Sequence, residues 1–477
     1  MTTAESIPAP ARRWHAELAW LARAAPGPSG GAAPPAPLAR DVLIEAVGGR
    51  FTEVRPGVTA ADAGGAQRLT GLTLPGLANG HSHAFHRALR GSTQAGRGTF
   101  WTWREQMYAT AARLDPDSYL ALARAVYAEM ALAGITCVGE FHYLHHDTGG
   151  RRYADPNEMS KALLEAARQA GIRITLLDTC YLSGGLDARG APVPLAGPQL
   201  RFSDGDGHGW AERVAALGAG EHGELGPGAR LGAAVHSVRA VPPDQLPPVL
   251  AWAQRHGAPV HAHLSEQPAE NEACLAAYGD TPAGVLSVAG VLGPRATMVH
   301  ATHLTGRDIE LIGGSRAFAC FCPTTEADLA DGIGPARALA TAGARLTVGS
   351  DSQAVIDLFT EARRVELDQR LATGQRGHFT AADLAGMATV AGHASLGWPD
   401  AGELVAGGLA DLVTVDLGGP RLAGTTAATA LESVLFAATP ADVTGVVIGG
   451  RDVVSGGRHL LAGDVPAAME SALTVLR

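Results

Sequence analysis

Lysine and cysteine are nearly missing from this chain of 477 residues, which has one lysine, Lys161, and five cysteines, Cys137, Cys180, Cys274, Cys320 and Cys322. The cysteines are odd in number, scattered and without a CxxC pair. That excludes a disulfide scaffold or a zinc finger and points to buried thiols in a reducing, cytoplasmic setting. No segment approaches the ~18 uninterrupted apolar residues that a membrane helix needs. At the N-terminus Trp14, His15 and Glu17 interrupt the apolar residues, unlike a secretory signal. Positive charge is also in short supply: the formal net charge is -10 and no basic cluster is present. Neither nucleic acid nor an anionic membrane is therefore an expected partner, and an anionic small molecule has to be held by individual arginines.

What the chain does have is apolar residues, 46% of the total, enough for a large core. Eight β-branched, apolar runs follow one another: LTLPGLANGHSH, ITCVGEFHY, RITLLDTCYL, LGAAVHSVRAV, PVHAHLSE, TMVHATHL, FACFCPTT and RLTVGSDS. Helical patterns separate several of them, for example SYLALARAVYAEMALAG, with Ser118 or Asp117 as its cap and Gly134 at its end. Continuous apolar strands alternating with helices describe a parallel sheet buried on both faces, and eight such units predict an α/β fold, a (β/α)8 TIM-like barrel. Residues 40 to 70 and 402 to 464 read instead as short strands joined by Gly-rich turns, with Gly-Gly pairs suited to tight hairpins in TGVVIGGRDVVSGG. The expected organisation is a barrel over 72–397 and a small β-sandwich domain built from both chain ends, 1–71 and 398–477. The Pro/Gly/Ala-rich stretch 25–38 is expected to be a mobile loop within the first of these.

The residues that carry chemistry sit at the ends of the apolar runs. His81 and His83 are two apart, and in an extended strand positions i and i+2 share a face, so both imidazoles can reach one ion. His263 with Glu266 in HAHLSEQ, His300 in VHATH and Asp351 in VGSDS close three later runs. His81, His83, His263 and Asp351 form a nitrogen/oxygen ligand set for one divalent ion, zinc by preference, with room for water. Glu266 is placed to shuttle a proton, His300 to polarise the electrophile and Asp351 to accept a hydrogen bond from the water. The expected reaction is attack of activated water on an sp2 carbon through a tetrahedral intermediate, expelling nitrogen or oxygen. A second ion bridged by a carboxylated lysine is excluded, because Lys161 lies in the helical pattern NEMSKALLEAARQAG.

Arg104 in FWTWREQMY and Arg239 in VHSVRAV each offer two parallel hydrogen bonds to a carboxylate, so together they suggest an acidic small molecule. Tyr143 and His236 close their own runs and can add directional hydrogen bonds. The cluster His142, His145 and His146 hints at a second metal site but reads more simply as a solvated loop.

These stretches resemble the amidohydrolase superfamily, and within it the formimidoylglutamate deiminases of histidine degradation. PGLANGHSHAFHRALRG, TFWTWREQMY, GEFHYLHHD, HAHLSEQPAEN, VHATHLT, CPTTEADLADG and GSDSQAVIDLFTEAR carry the resemblance in order, from about residue 40 to the C-terminus. It implies a single zinc on His81, His83, His263 and Asp351, with Glu266 and His300 catalytic. It also implies hydrolysis of N-formimino-L-glutamate to N-formyl-L-glutamate and ammonia. The implied substrate contacts are Arg104, Tyr143, His236, Arg239 and the position of His86, where this family typically has glutamine. The alternative is another deaminase of the superfamily acting on a nucleobase or cyclic amidine, for which Trp101 and Trp103 would supply stacking. A non-catalytic metal-dependent scaffold would need decayed ligands, and none has decayed. A homodimer is the expected assembly.

Overall fold

The computed structural model describes residues 11–22, 38–218 and 225–476. Apart from Leu38, the stretch expected to be a mobile loop lies outside the described residues. Two eight-stranded sheets organise the chain. The first takes strands from both ends: β1 (Arg12–Trp20), β2 (Leu38–Val47), β3 (Arg50–Arg55) and β4 (Gln67–Pro75).

The second sheet is wholly parallel and begins with β5 (Leu77–Ser82), β6 (Ile135–His142) and β7 (Arg173–Cys180). After a small hairpin of β8 (Gly185–Leu186) and β9 (Pro192–Val193), it continues through β10 (Ala229–Val235), β11 (Val260–Leu264), β12 (Ala296–His300), β13 (Phe318–Phe321) and β14 (Arg345–Val348). These are the eight strands expected from the apolar runs. Every residue of β6 and β7 is buried, as it must be where helices cover one face and the barrel interior the other. Neighbours pair in chain order, and the ring closes where the Asp351 N–H donates to the His81 carbonyl at 3.0 Å and the His83 N–H to the Asp351 carbonyl at 3.2 Å. The closing contacts are thus made by three of the residues singled out as ligands.

The first sheet resumes with β15 (Leu412–Val415), β16 (Val443–Ile448), β17 (Arg451–Ser455) and β18 (Arg458–His459), in the order β18-β17-β16-β15-β4-β1-β2-β3. Trp14, Ile44 and Phe51 from its N-terminal strands share one apolar cluster with Leu412 and Val447 from its C-terminal strands. The sheet therefore folds over its own core as a β-sandwich. The Gly449-Gly450 and Gly456-Gly457 pairs make the two tight turns, with all four φ values positive, as two-residue hairpins of this hand require.

Three expectations are corrected. The run LTLPGLANGHSH is two strands, since LTLP ends β4 in the sandwich and the chain crosses to the barrel at Gly76. A Cβ at Gly76 would lie 2.3 Å from the Thr136 hydroxyl, so only glycine fits the crossing. Within residues 402 to 464 the segment Ala430–Ala437 is helical rather than strand. The helices of the first βα connection are α1 (Phe100–Ala111) and α2 (Pro116–Leu132), and the cap of α2 is Asp115, not Asp117 or Ser118. The Asp115 side chain accepts from the Ser118 N–H at 2.8 Å while the Asp115 N–H donates to the Ser118 hydroxyl oxygen at 2.9 Å, a reciprocal capping box.

Further along are α3 (Glu158–Ala170), α4 (Gly207–Gly218), α5 (Leu246–His256) and α6 (Pro268–Tyr278). Lys161 is on the solvent side of α3, paired with Asp155. No described helix is long and apolar enough to cross a membrane.

Candidate active site

The strand ends bring four donors together. Nε2 of His81 is 3.2 Å from Oδ1 of Asp351, Nε2 of His83 is 3.5 Å from the same oxygen, and Nε2 of His263 is 3.2 Å from Nε2 of His81. All four ligand atoms lie within 4.8 Å of one another, and all four residues are buried.

The tautomers suit a cation. His83 Nδ1–H donates to the Phe141 carbonyl at 2.9 Å and His263 Nδ1–H to the His236 carbonyl at 2.9 Å, which leaves each Nε2 lone pair aimed at the centre. Burial holds His81, His83 and His263 below the ordinary imidazole range, so they are neutral and able to ligate. Burial alone would raise Asp351, but the hydrogen bond with His81 and the charge of the nearby His300 imidazolium outweigh this and keep it ionised. Three neutral imidazoles and one carboxylate, all buried, form a donor set that fits one divalent ion of the zinc type.

Local backbone pays for this convergence with unusual conformations. His300 and Asp351 take left-handed φ values of 66° and 41°, and Ser265, just before Glu266, takes 51°. Non-glycine residues adopt that region at a cost and cluster where side chains must be aimed. A Cβ at Gly349 would lie 2.7 Å from the His81 backbone nitrogen, so a glycine is required where the last strand crosses the first.

Behind the histidines runs a buried polar brace. Glu140 accepts from the Ala84 N–H at 2.7 Å and the Ser82 hydroxyl at 2.8 Å, and Gln353 donates to Ser82 at 2.8 Å. Asn79 and Ser350 extend it through a bond from the Ser350 N–H to the Asn79 side-chain oxygen at 2.9 Å. The brace ties the His81–His83 segment to the segment carrying Asp351. Sequence reasoning passed over Glu140, although it stands in GEFHY at a strand end.

On the other side His300 sits between two carboxylates, with Glu266 Oε1 at 3.7 Å from Nε2 and Glu326 Oε1 at 3.4 Å from Nδ1. Burial disfavours the imidazolium, but Glu266, Glu326 and Asp351 outweigh it and hold His300 well above the ordinary range. Asp331 is within reach of Glu266 and His300 and is pushed up to about 9 by burial and by the charges around it. Neither Glu326 nor Asp331 was expected from sequence, because each comes from a segment following the strand end it serves.

Above this floor opens a cleft. Its walls carry His86, Arg104, Tyr143, His236 and Arg239, and its base shows His83, His263, Glu266, His300 and Asp351. His81 lies fully buried beneath. All eleven residues singled out from sequence are therefore at one place. The walls also hold Trp103, named from sequence only for the alternative substrate, and Met107, Tyr108, Tyr181 and Phe202, which no spacing rule pointed to.

Trp101 is 54% exposed and is not part of the cleft lining, its ring lying 5.8 Å from the Arg104 guanidinium, whereas Trp103 packs edge-on against His86 at 5.1 Å. His86 Nε2 is 3.0 Å from the Tyr143 hydroxyl, and burial lowers the His86 pKa to about 3, so it acts as a neutral hydrogen-bonding ring.

His142, His145 and His146 are not a solvated loop: all three are at most 1% exposed. They pack against Asp178 and Asp204, which are bound by the buried Arg213. Asp178 accepts from Arg213 at 2.7 and 2.9 Å, Trp210 at 3.0 Å and Ser160 at 3.3 Å. The cluster is an ion-pair network supporting the ends of β6 and β7. His142, His145 and Asp178 also stand close enough to share an ion, and both ring nitrogens of His142 are buried without a hydrogen-bond partner. The lone pairs of Asp178 are committed, however, and the Arg213 guanidinium alongside disfavours a second cation.

The model of the Amidohydrolase family matches residues 72–453. Formimidoylglutamate deiminase of Pseudomonas aeruginosa is 39% identical over 432 residues, covering 88% of this chain and 92% of that protein. An 8-oxoguanine deaminase of the same organism is 30% identical over 358 residues, 74% of this chain and 76% of that one. Among solved structures, an amidohydrolase from Brucella melitensis superposes with a TM-score of 0.86 at 33% identity, covering 98% of this chain and 99% of that one.

Proposed function

This chain belongs to the amidohydrolase family, and from that premise we propose that it is a hydrolytic deiminase converting N-formimino-L-glutamate to N-formyl-L-glutamate and ammonia. The observation that carries the reading is the placing of Arg104 and Arg239 on the walls of the one cleft whose base holds the His81, His83, His263 and Asp351 donors. Two guanidiniums suit two carboxylates, and a nucleobase carries no carboxylate. The deiminase similarity, closer in identity than that to the purine deaminase, agrees.

His81, His83, His263 and Asp351 would hold a single divalent ion, zinc by donor type, which when bound would supply Lewis acidity and a water of lowered pKa. The chain does the rest. Arg104 and Arg239 take the substrate carboxylates while Tyr143, His236 and His86 set the angle of the linear amidine. Asp351 and Glu266 orient the attacking water, and Glu266 receives its proton as the C–O bond forms at the formimino carbon. His300, held as imidazolium by its flanking carboxylates, donates a hydrogen bond that favours charge developing in the tetrahedral state. Glu266 then passes that proton to the terminal nitrogen, making it an amino group, and relays the hydroxyl proton of the tetrahedral state to the same nitrogen as the carbonyl forms, so that the C–N bond breaks and ammonia leaves. The chemistry belongs with histidine degradation in the cytoplasm.

Metal analysis with ammonia release from a panel of formimino acids, guanidino acids and purines tests the reading. One ion per chain and turnover of formiminoglutamate are expected. Glu266→Gln is expected to lower turnover by ~10²–10⁴ while the metal content stays the same. Full activity in that variant removes the proton-transfer role, and release of ammonia from a purine or cyclic amidine but not from formiminoglutamate replaces this substrate by the alternative.

A further inference from the structure

The two cleft arginines differ in what surrounds them. Arg239 has the buried Glu270 beside it, Nε to Oε2 at 3.6 Å. Among the described residues Arg104 has no carboxylate within ion-pair distance, yet its guanidinium is held as firmly. Its Nε donates to the Tyr108 hydroxyl at 2.7 Å and its Nη2 approaches the Gly184 carbonyl at 3.4 Å.

Tyr108 is one turn along α1, so that bond alone leaves Arg104 free to move with its helix. Gln199 ties the pair to the barrel. Its Nε2 lies 3.0 Å from the Tyr108 hydroxyl, 3.1 Å from the Tyr181 hydroxyl and 3.3 Å from the Gly184 carbonyl. Its Oε1 is committed to the Ala196 N–H at 3.2 Å, which fixes the sense of the amide and turns the donor end toward the phenols. The carbonyl of Gly184 reaches this point because its loop packs tightly, a Cβ there falling 2.5 Å from the Pro194 carbonyl oxygen.

The geometry points to Gln199, acting through Tyr108, as the positioning residue that holds Arg104 for one carboxylate of a diacid and thereby sets the preference for diacids over monoacids. This rests on the deiminase reading for the identity of the substrate. The physical reason is that every group in the cradle is neutral. A carboxylate in Gln199's place would aim the guanidinium but also neutralise it, whereas amide, phenol and carbonyl aim it and leave its charge for the ligand. Arg239, already facing Glu270, has less charge to offer.

Gln199→Met keeps the volume and removes the donors, and Tyr108→Phe removes the acceptor of the Arg104 bond; the second variant serves if the first does not fold. Each is assayed, zinc-loaded, with formiminoglutamate and with the two monoacids that lack one or the other carboxylate. KM for the diacid is expected to rise about tenfold, as loss of a bond to a charged group implies, with kcat within about threefold. The monoacid lacking the carboxylate that Arg104 takes should be unaffected. Equal losses on all three substrates, or an unchanged diacid KM, overturn the assignment.

Glutarate binding measured by calorimetry separates this from the substrate reading. About tenfold weaker binding by the variants supports the cradle even if the wild-type enzyme releases no ammonia from formiminoglutamate, and equal binding by wild type and variants overturns it.

Discussion

Single residues show how burial changes the meaning of a histidine. His145 looks like a loop residue in HYLHHD, yet it is enclosed by Arg213, Asp178, Asp204, His142 and His146, and its Nε2 donates to the Thr179 carbonyl at 2.8 Å. Burial, reinforced by Arg213, lowers it from 6.5 to about 4. For a base with a depressed folded pKa, the unfolded chain takes up the proton first. Stability is therefore complete above about 6.5 and falls as pH drops, until the folded form also titrates near 4. At about 1.4 kcal/mol per pH unit, this one group costs about 3 kcal/mol over that window. Urea unfolding at pH 7, 5.5 and 4 should show the acid loss of His145→Gln reduced by about that amount relative to the wild type. An equal pH slope in the two proteins would remove the argument. Sequence misread this cluster because the two aspartates and the arginine that enclose it lie 30 or more residues further on. By contrast His81, His83, His263, His300 and Asp351 were legible, because each sits at the end of an apolar run and that edge of a parallel barrel is where side chains converge.

For the elements, legibility followed local physics. The glycine pairs of the β16–β17–β18 meander declared their turns, since positive φ at two successive positions has few other solutions. The helix α2 was visible from its apolar period, but its start was misplaced by two or three residues because Asp115, Asp117 and Ser118 are all competent caps and only the fold of the preceding turn selects among them. Asp115→Ala should cost about 1 kcal/mol in chemical unfolding with no change in turnover. A similar loss for Asp117→Ala, and none for Asp115→Ala, would move the cap back to the position expected from sequence. The split of LTLPGLANGHSH at Gly76 was invisible, because both halves are apolar strand and nothing in the run says that they belong to different sheets.

Across the molecule, the barrel and the β-sandwich are coupled by a buried ion pair. Arg173 at the start of β7 binds Asp411, just before β15, through two bonds of 2.7 and 2.9 Å, and Asp411 also accepts from the Gly449 N–H at 2.7 Å. Asp411 is 1% exposed and Arg173 6%. Removing one partner leaves the other charge buried without compensation, a loss of about 3–5 kcal/mol. Asp411→Ala should lower the urea midpoint accordingly, and the double variant Arg173→Met/Asp411→Leu should recover part of it. If the single and double variants are equally unstable, the cost is one of packing rather than of an unpaired charge.

By itself the sequence determined the strand order, the histidines and aspartate that converge at the strand ends and the two arginines of the cleft, because apolar period and strand-end placement are local properties carried by a few neighbouring residues. Only the tertiary structure decided which neutral groups hold Arg104, which carboxylates flank His300 and which charges enclose His142, His145 and His146. Those partners come from segments far apart in the chain, and their chemistry exists only once the closed barrel has brought them within hydrogen-bonding distance.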